Sequence, residues 1–410
     1  MSCAVKEGPT VNPQAPVVVT GASGYIGSWI VRRLLEAGHT VRGTVRDPDK
    51  KSGLEHLHKL AHDHPGRLTL AKADLLDDGA FDAPMRGCEL VVHNASPFII
   101  AGIRDPDREL VQPALTGTRN VLSAVDRAPS VKRVVLTSSM VAIYGDAEEA
   151  ERVPGGVFTE EQWNTTSSLE HQPYSYSKTV AEREAWRIQQ AQDRWELVTL
   201  EPGLVLGPSL TTASASNSLA IMKQFADSTM LAGAPELYFG VVDVRDVAEW
   251  HVRAGFTPEA KGRYLITADT LSLLQIGRIL RRRFGELYAF PRTKVPKFLY
   301  RVIAPALGYT RTFVDRNVGY PLAFDSSRSR TELGLATAPW TTPSPSTSSR
   351  CWTTGSSSAS PSSEPGSPMG TGCGLHPPNL AQRDIRRERT RSRLPPTRST
   401  GSVDGSRAIN

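Results

Sequence analysis

The pattern of this chain predicts an α/β protein built on a doubly wound parallel sheet, and three observations carry the prediction. From residue 16 to 210 short β-branched apolar runs alternate with amphipathic stretches, the order produced by a parallel sheet with helices on both faces. The first apolar run leads straight into a glycine-rich turn and a helical pattern. After about residue 211 the pattern loosens, and after 337 it vanishes.

Taken in order, strands are expected at 17–20, 40–45, 68–73, 90–94, 133–137 and 197–200, with helices such as 25–37 and 109–125 between them. Each intervening stretch is long enough for a crossover between parallel neighbours. The segments 219–226, 244–254 and 273–284 read as helices broken by Gly and Pro. They predict a smaller, mixed substrate domain over 211–336, which leaves room for segments that return to the sheet. Placed after the sheet, it can close over a ligand at the strands' carboxyl ends. Residues 1–15 are expected to lack order.

The tail 337–410 is dominated by Ser, Thr, Pro, Gly and Arg, and is expected to be disordered. Reading 339–355 back through GC-rich codons, one base out of phase, yields LDDTVTEHFQQMLDDG. That peptide has acids at its start and apolar residues at helical spacing. The shifted frame is therefore expected to encode a terminal helix, and a functional basic arm is the alternative.

Composition narrows the function. The formal charge is +6, but 337–410 holds nine Arg against four acids, which leaves +1 for residues 1–336. The body thus offers no electrostatic footprint for nucleic acid or an anionic membrane. No apolar run reaches spanning length and the first residues lack a signal-peptide core, so a cytoplasmic location is expected. Cys3, Cys88, Cys351 and Cys373 are scattered, with no zinc spacing and too few for a disulfide framework.

Chemistry enters with VVVTGASGYIGSW, where Gly21, Gly24 and Gly27 follow a strand and open a helix. Gly21 permits the tight turn, Gly24 lets backbone N–H groups approach a pyrophosphate, and Gly27 lets helix and strand pack closely. Tyr25 and Ile26 belong to the same turn and complete the expected dinucleotide contact. The second strand ends in Arg46, about 20 residues past the turn, with Lys50 and Lys51 one turn on. These cations converge where a 2′-phosphate sits, so NADP(H) is expected; Asp47 is the residue that would serve NAD instead. Asp74 and Leu75 end the third strand, where they can flank the adenine. Ala95, Ser96 and Pro97 end the fourth, beside the nicotinamide ribose.

Tyr174 and Lys178 stand four apart in PYSYSKTVAEREAW, on one face of a helix. A phenol titrates near 10, but a lysine charge about 4 Å away at an effective dielectric of ~20 contributes roughly 4 kcal/mol toward its ionisation. The tyrosine then serves as a proton donor near neutrality, with a third group needed for the developing oxyanion. Ser139, at the end of VVLTSSM, is expected there, and Ser138 is the alternative by alternation. Tyr176 lies two from Lys178 and points elsewhere.

TGASGYIGSW, VRGTVRD, VVLTSSM, YSYSK, EPGLVLGP and VDVRDVA together resemble the extended short-chain dehydrogenase/reductase superfamily, in particular the group of dihydroflavonol, cinnamoyl-CoA and methylglyoxal reductases. The resemblance covers about residues 16–336. It implies a Rossmann fold, Ser139, Tyr174 and Lys178 as catalytic triad, Arg46 and Lys50 on the NADP phosphate, and Pro202 and Val205 beside the nicotinamide. The stretch MVAIYGD lacks the asparagine associated with flavonoid recognition, and HQPYSYSK lacks the N-W-Y-C-Y signature of cinnamoyl-CoA reductases. Neither plant substrate is implied. The tail stands where the family has a C-terminal helix.

The expected activity is NADPH-dependent reduction of an aldehyde or ketone, with a small carbonyl compound as partner. A hydroxysteroid or sugar-nucleotide dehydrogenase or epimerase, and a cofactor sensor without turnover, are the alternatives. His56, His58, His62 and His64 read as a solvated helix rather than a metal site, and Trp29, Trp186 and Trp250 as packing. Phe98, Tyr144 and 211–240 are candidates for the substrate pocket.

Overall fold

The computed structural model describes residues 8–335 apart from 51, 97–102, 212–215, 227–228 and 287. Its strands are β1 (Val17–Thr20), β2 (Val41–Val45), β3 (Leu68–Lys72), β4 (Leu90–His93), β5 (Arg133–Thr137), β6 (Val157–Phe158), β7 (Glu196–Pro202), β8 (Leu204–Leu206), β9 (Tyr238–Asp243), β10 (Gly262–Ile266), β11 (Asp269–Ser272) and β12 (Ala323–Phe324). The helices are α1 (Tyr25–Glu36), α2 (Glu55–Asp63), α3 (Asp82–Met85), α4 (Gln112–Arg127), α5 (Pro173–Gln189), α6 (Asn217–Ala226), α7 (Val244–Phe256), α8 (Leu273–Phe284), α9 (Lys297–Ile303), α10 (Arg311–Asn317) and α11 (Ser327–Glu332).

Seven strands form one parallel sheet in the order β10-β7-β5-β4-β1-β2-β3. The order reverses direction between β1 and β4, which places a crevice at the carboxyl ends of those strands. Both faces are covered because the strands are apolar on both. In β1, Val17 and Val19 pack with Ile30 and Leu34 of α1 and Trp250 of α7. Val18, one residue out of phase, packs with Val121 of α4, Ala185 of α5 and Trp195. All six expected strands are present, two with the expected bounds and four with one or both ends moved by one or two residues.

The helix of the glycine turn also ends as its sequence dictates. Gly38 adopts φ 88°, its N–H donates to the Leu35 carbonyl at 2.9 Å, and His39 N–H reaches back to Leu34 at 2.9 Å. This paired closure needs a residue free to take the left-handed conformation.

β10 joins the sheet beside β7 although it lies beyond residue 211, and α7 packs against α1 with Val247 and Trp250 fully buried. The chain therefore returns to the first domain after β9. A small sheet, β11-β9-β8, begins at β8 just before 211 and covers its own core of Phe225, Val241, Ile276 and Leu280. The start of α8 is fixed by a reciprocal cap: Ser272 Oγ accepts from Gln275 N–H while Gln275 Oε1 accepts from Ser272 N–H.

Residues 8–15 depart from the expected disorder. Val11 is buried in the sheet's core, and Asn12 N–H donates to Glu89 Oε2 at 2.7 Å; burying the valine and satisfying that amide hold the segment. The expectations for Pro97, Phe98, Lys51 and the whole tail 337–410 lie outside the described residues. Among the described residues no helix is long and apolar enough to cross a membrane.

Candidate active site

The first part of the site is the start of α1. Gly21 adopts φ 67°, and a Cβ there would stand 2.9 Å from the Ala95 backbone. At Gly27 a Cβ would run into the Gly21 carbonyl. The glycines therefore let β1, the helix and the end of β4 close on one another, as their spacing predicts. Gly24 is the N-cap with no side-chain cap, so the helix presents its first N–H groups and its positive end to whatever occupies the turn. A cradle of this form fits a dinucleotide's pyrophosphate. Tyr25 and Trp29 face away from it: their side chains donate to the carbonyls of Gly207, at 2.9 Å, and Pro208, at 2.8 Å. Ile26 packs at the edge of the sheet's core.

Arg46 and Lys50 lie exposed just beyond β2. Among the described residues Arg46 has no carboxylate partner, whereas Asp47 accepts from Asp49 N–H at 3.1 Å and is used in the turn. Leu75, Ala95, Ser96, Thr137, Ser138 and Lys178 line one small cavity between β4, β5 and α5. Asp74 caps a local turn by accepting from Leu76 N–H.

The second part is α5. Lys178 donates to Ser96 Oγ at 3.0 Å, and its Nζ is 6.0 Å from the centroid of the Tyr174 ring. Enclosure of the ammonium pushes its pKa down to about 8, since burial disfavours the charged form. As whole residues Tyr174, Lys178 and Ser139 are each half-buried. Ser139, extended at φ −162°, follows β5 and opens a short turn, its Oγ accepting from Val141 N–H at 3.4 Å. Ser138 is buried and its hydroxyl donates to the Glu182 carboxylate. Pro202 ends β7 and is buried, and Val205 lies within β8 in the core.

Several residues of this region escaped the sequence reading. Glu182 continues the stripe Tyr174, Lys178 by four more residues, and that spacing was the available signal. Besides Ser138 it accepts from Arg263 Nε at 2.7 Å, so α5 is tied to the segment just after β5 and to β10. Glu201, fully buried on β7 beside them, has its pKa raised by burial and then by the Glu182 charge. His93 and His251 flank the strand ends. Thr20 Oγ1 accepts from the N–H groups of Asn94 and Ala95, and its hydroxyl lies 2.9 Å from His93 Nδ1. Burial, and then the Lys178 charge, push His93 down to about 3; burial pushes His251 down to about 4. Both are neutral imidazoles at neutral pH.

Gln172, two residues before Tyr174, is the one non-glycine at positive φ among the described residues, at φ 55° and ψ 55°. Such a backbone costs about 1–3 kcal/mol. Of the pocket candidates, Tyr144 is buried in an aromatic cluster, 5.0 Å from Phe158 and 5.6 Å from Phe324. Its ring is used in packing. Trp29 and Trp250 are buried as expected.

Residues 17–266 match the model of the NAD dependent epimerase/dehydratase family. The chain belongs to that family. It is 40% identical over 277 residues to cinnamoyl-CoA reductase CAD2 of Medicago truncatula, covering 66% of this chain and 81% of that protein. It is 37% identical over 276 residues to tetraketide alpha-pyrone reductase 1 of Arabidopsis thaliana, covering 66% and 82%. Among solved structures, the yeast methylglyoxal/isovaleraldehyde reductase Gre2 complexed with NADPH superposes with a TM-score of 0.61 at 26% identity. That match covers 78% of this chain and 93% of the other. These relatives of the family member described here are reductases by name, in keeping with the resemblance drawn from its motifs.

Proposed function

We propose that this family member reduces an aldehyde or ketone to an alcohol with NADPH. The observation that carries the reading is Lys178: an enclosed ammonium, anchored on Ser96 and one helical turn from Tyr174, at the strand ends where the glycine turn also lies. Such a charge has little structural use and lowers the cost of removing the phenol's proton.

When bound, the reduced nicotinamide supplies the hydride that reaches the carbonyl carbon. Tyr174 gives its proton to the carbonyl oxygen, so the C=O π bond becomes C–H and O–H. Ser139 donates a hydrogen bond to the same oxygen while charge develops on it. Ser138, committed to Glu182, is the weaker candidate for that task. Lys178 holds the phenolate left behind and reaches the ribose hydroxyls. Gly21, Gly24, Tyr25, Ile26 and Gly27 hold the pyrophosphate through the backbone, Arg46 and Lys50 the 2′-phosphate, Asp74 and Leu75 the adenine, and Ala95, Ser96, Pro202 and Val205 the nicotinamide side.

The test follows NADPH and NADH absorbance against methylglyoxal, isovaleraldehyde, cinnamoyl-CoA, a dihydroflavonol, hydroxysteroids and sugar nucleotides, with Tyr174→Phe beside the parent. Aldehyde- or ketone-dependent NADPH oxidation, abolished by Tyr174→Phe, is expected. Full turnover by Tyr174→Phe refutes the mechanism, and dinucleotide binding without turnover favours a sensor. Arg46→Ala is expected to weaken NADPH at least tenfold more than NADH; equal loss removes the phosphate assignment.

A further inference from the structure

The left-handed backbone at Gln172 stands at the start of α5, directly before Pro173 and two residues before Tyr174. A residue that precedes proline favours extended backbone, and a non-glycine resists positive φ. The conformation must therefore be held from outside, and the side chain shows by what. Gln172 Nε2 donates to the Gly145 carbonyl and to Asp146 Oδ1, both at 2.7 Å. Asp146 is fully buried and also accepts from His171 Nε2 at 2.8 Å, Asn317 Nδ2 at 2.7 Å and Arg316 at 3.3 Å. Asn317 closes the loop, its Oδ1 accepting from Ala147 N–H at 2.9 Å.

One carboxylate thus gathers three pieces of chain: the segment following Ser139, the residues leading into Tyr174, and α10. We infer that Gln172 is a positioning residue, whose strained backbone, pinned by Asp146, fixes where α5 begins and hence where the Tyr174 hydroxyl points. Strain of this kind persists where the surroundings over-determine it, and it gathers at functional sites. Proton transfer is sensitive to placement, a shift of about 1 Å being able to cost on the order of 100-fold. The inference rests on the reading of Tyr174 as proton donor.

Gln172→Gly and Gln172→Asn both tolerate positive φ, and neither reaches Gly145 and Asp146 together, so they separate the tie from the backbone cost. Measured on the best aldehyde or ketone of the panel, kcat is expected to fall about 10- to 100-fold with the KM for NADPH unchanged within about twofold. The solvent deuterium isotope effect on kcat is expected to rise, as proton transfer becomes slower than hydride transfer. Asp146→Asn, which keeps the shape, should show the same split if Gln172→Gly does not fold. Parental kcat in the Gln172 variants overturns the inference, as does a loss of NADPH affinity that matches the loss of kcat. Those results leave the reductase reading standing provided Tyr174→Phe is inactive; full turnover by Tyr174→Phe fails the reading itself.

Discussion

Two helices begin at the candidate site, and they begin differently. α1 starts from Gly24 and α5 from Gln172, and neither N-cap side chain satisfies the helix's first N–H groups. At α1 the positive φ falls on Gly21, where it is nearly free. At α5 it falls on a glutamine, where it must be held by a buried carboxylate. On the proposed reading, the first start is left open for a ligand's backbone contacts, and the second is closed so that it aims Tyr174. A binding site can be built from what is left out of the chain, whereas a proton donor has to be propped from behind.

The largest expected effect breaks the first start. Gly27→Ala puts a methyl group into the Gly21 carbonyl, so NADPH affinity should fall by about 100-fold or more, with a loss of about 1–3 kcal/mol in stability from overpacking. Titration of cofactor fluorescence and thermal unfolding would measure the two together; unchanged binding would mean that the turn does not hold the cofactor.

At the second start, activity and stability should separate. Lys178→Met removes a charge that burial disfavours, so turnover should fall by about 100-fold or more while Tm rises by about 1–2 °C, the shift that roughly 1 kcal/mol produces at an unfolding entropy of about 2 cal/mol/K per residue in a fold of this size. A Tm drop would show that the Ser96 bond outweighs the desolvation. The parent carries the matching pH dependence. Its folded-state pKa of about 8 is below the ordinary lysine value, so the unfolded chain binds the extra proton between about 8 and 10.4, and this group makes stability rise with pH across that window. The kcat/KM for reduction should decline above about pH 8, as Lys178 loses its charge.

The smallest effect concerns the histidines behind both starts. His93 and His251 are depressed to about 3 and about 4. Unfolded imidazoles take up protons near 6.5 while these do not. Stability from them is complete above about 6.5 and is lost as the pH falls toward about 4. His251→Gln should flatten the denaturation profile in that range; an unaltered slope would place the acid sensitivity elsewhere.

The same contrast explains what could be read from sequence. The glycine turn, the strands β1 and β5, and the pair Tyr174 and Lys178 are local patterns, with the whole signal inside a few residues. β10 is five residues, GRYLI, whose partner β7 lies some 60 positions earlier, and no nearby period distinguishes it from a loop. Gln172 carries no signature of positive φ, because Asp146, 26 residues upstream, and Asn317, 145 downstream, impose it. Glu182 was legible as the third member of a four-residue stripe, but its purpose depends on Ser138 and Arg263, which only the fold brings near. Residues 8–15 looked patternless because what orders them is one buried valine and scattered long-range bonds, from Asn12 to Glu89, His39 to Pro13 and Lys132 to Thr10.

The side chains of Tyr25 and Trp29 hold the carbonyls of Gly207 and Pro208, at the point where the chain leaves the small sheet's first strand for the segment beginning at 211. In the language of linked equilibria, those two hydrogen bonds join the first turns of α1 to the 207–208 segment, so any coupling between occupants of the two places is reciprocal. Whatever factor an occupant of one adds to the affinity of the other is returned in full measure, whichever binds first.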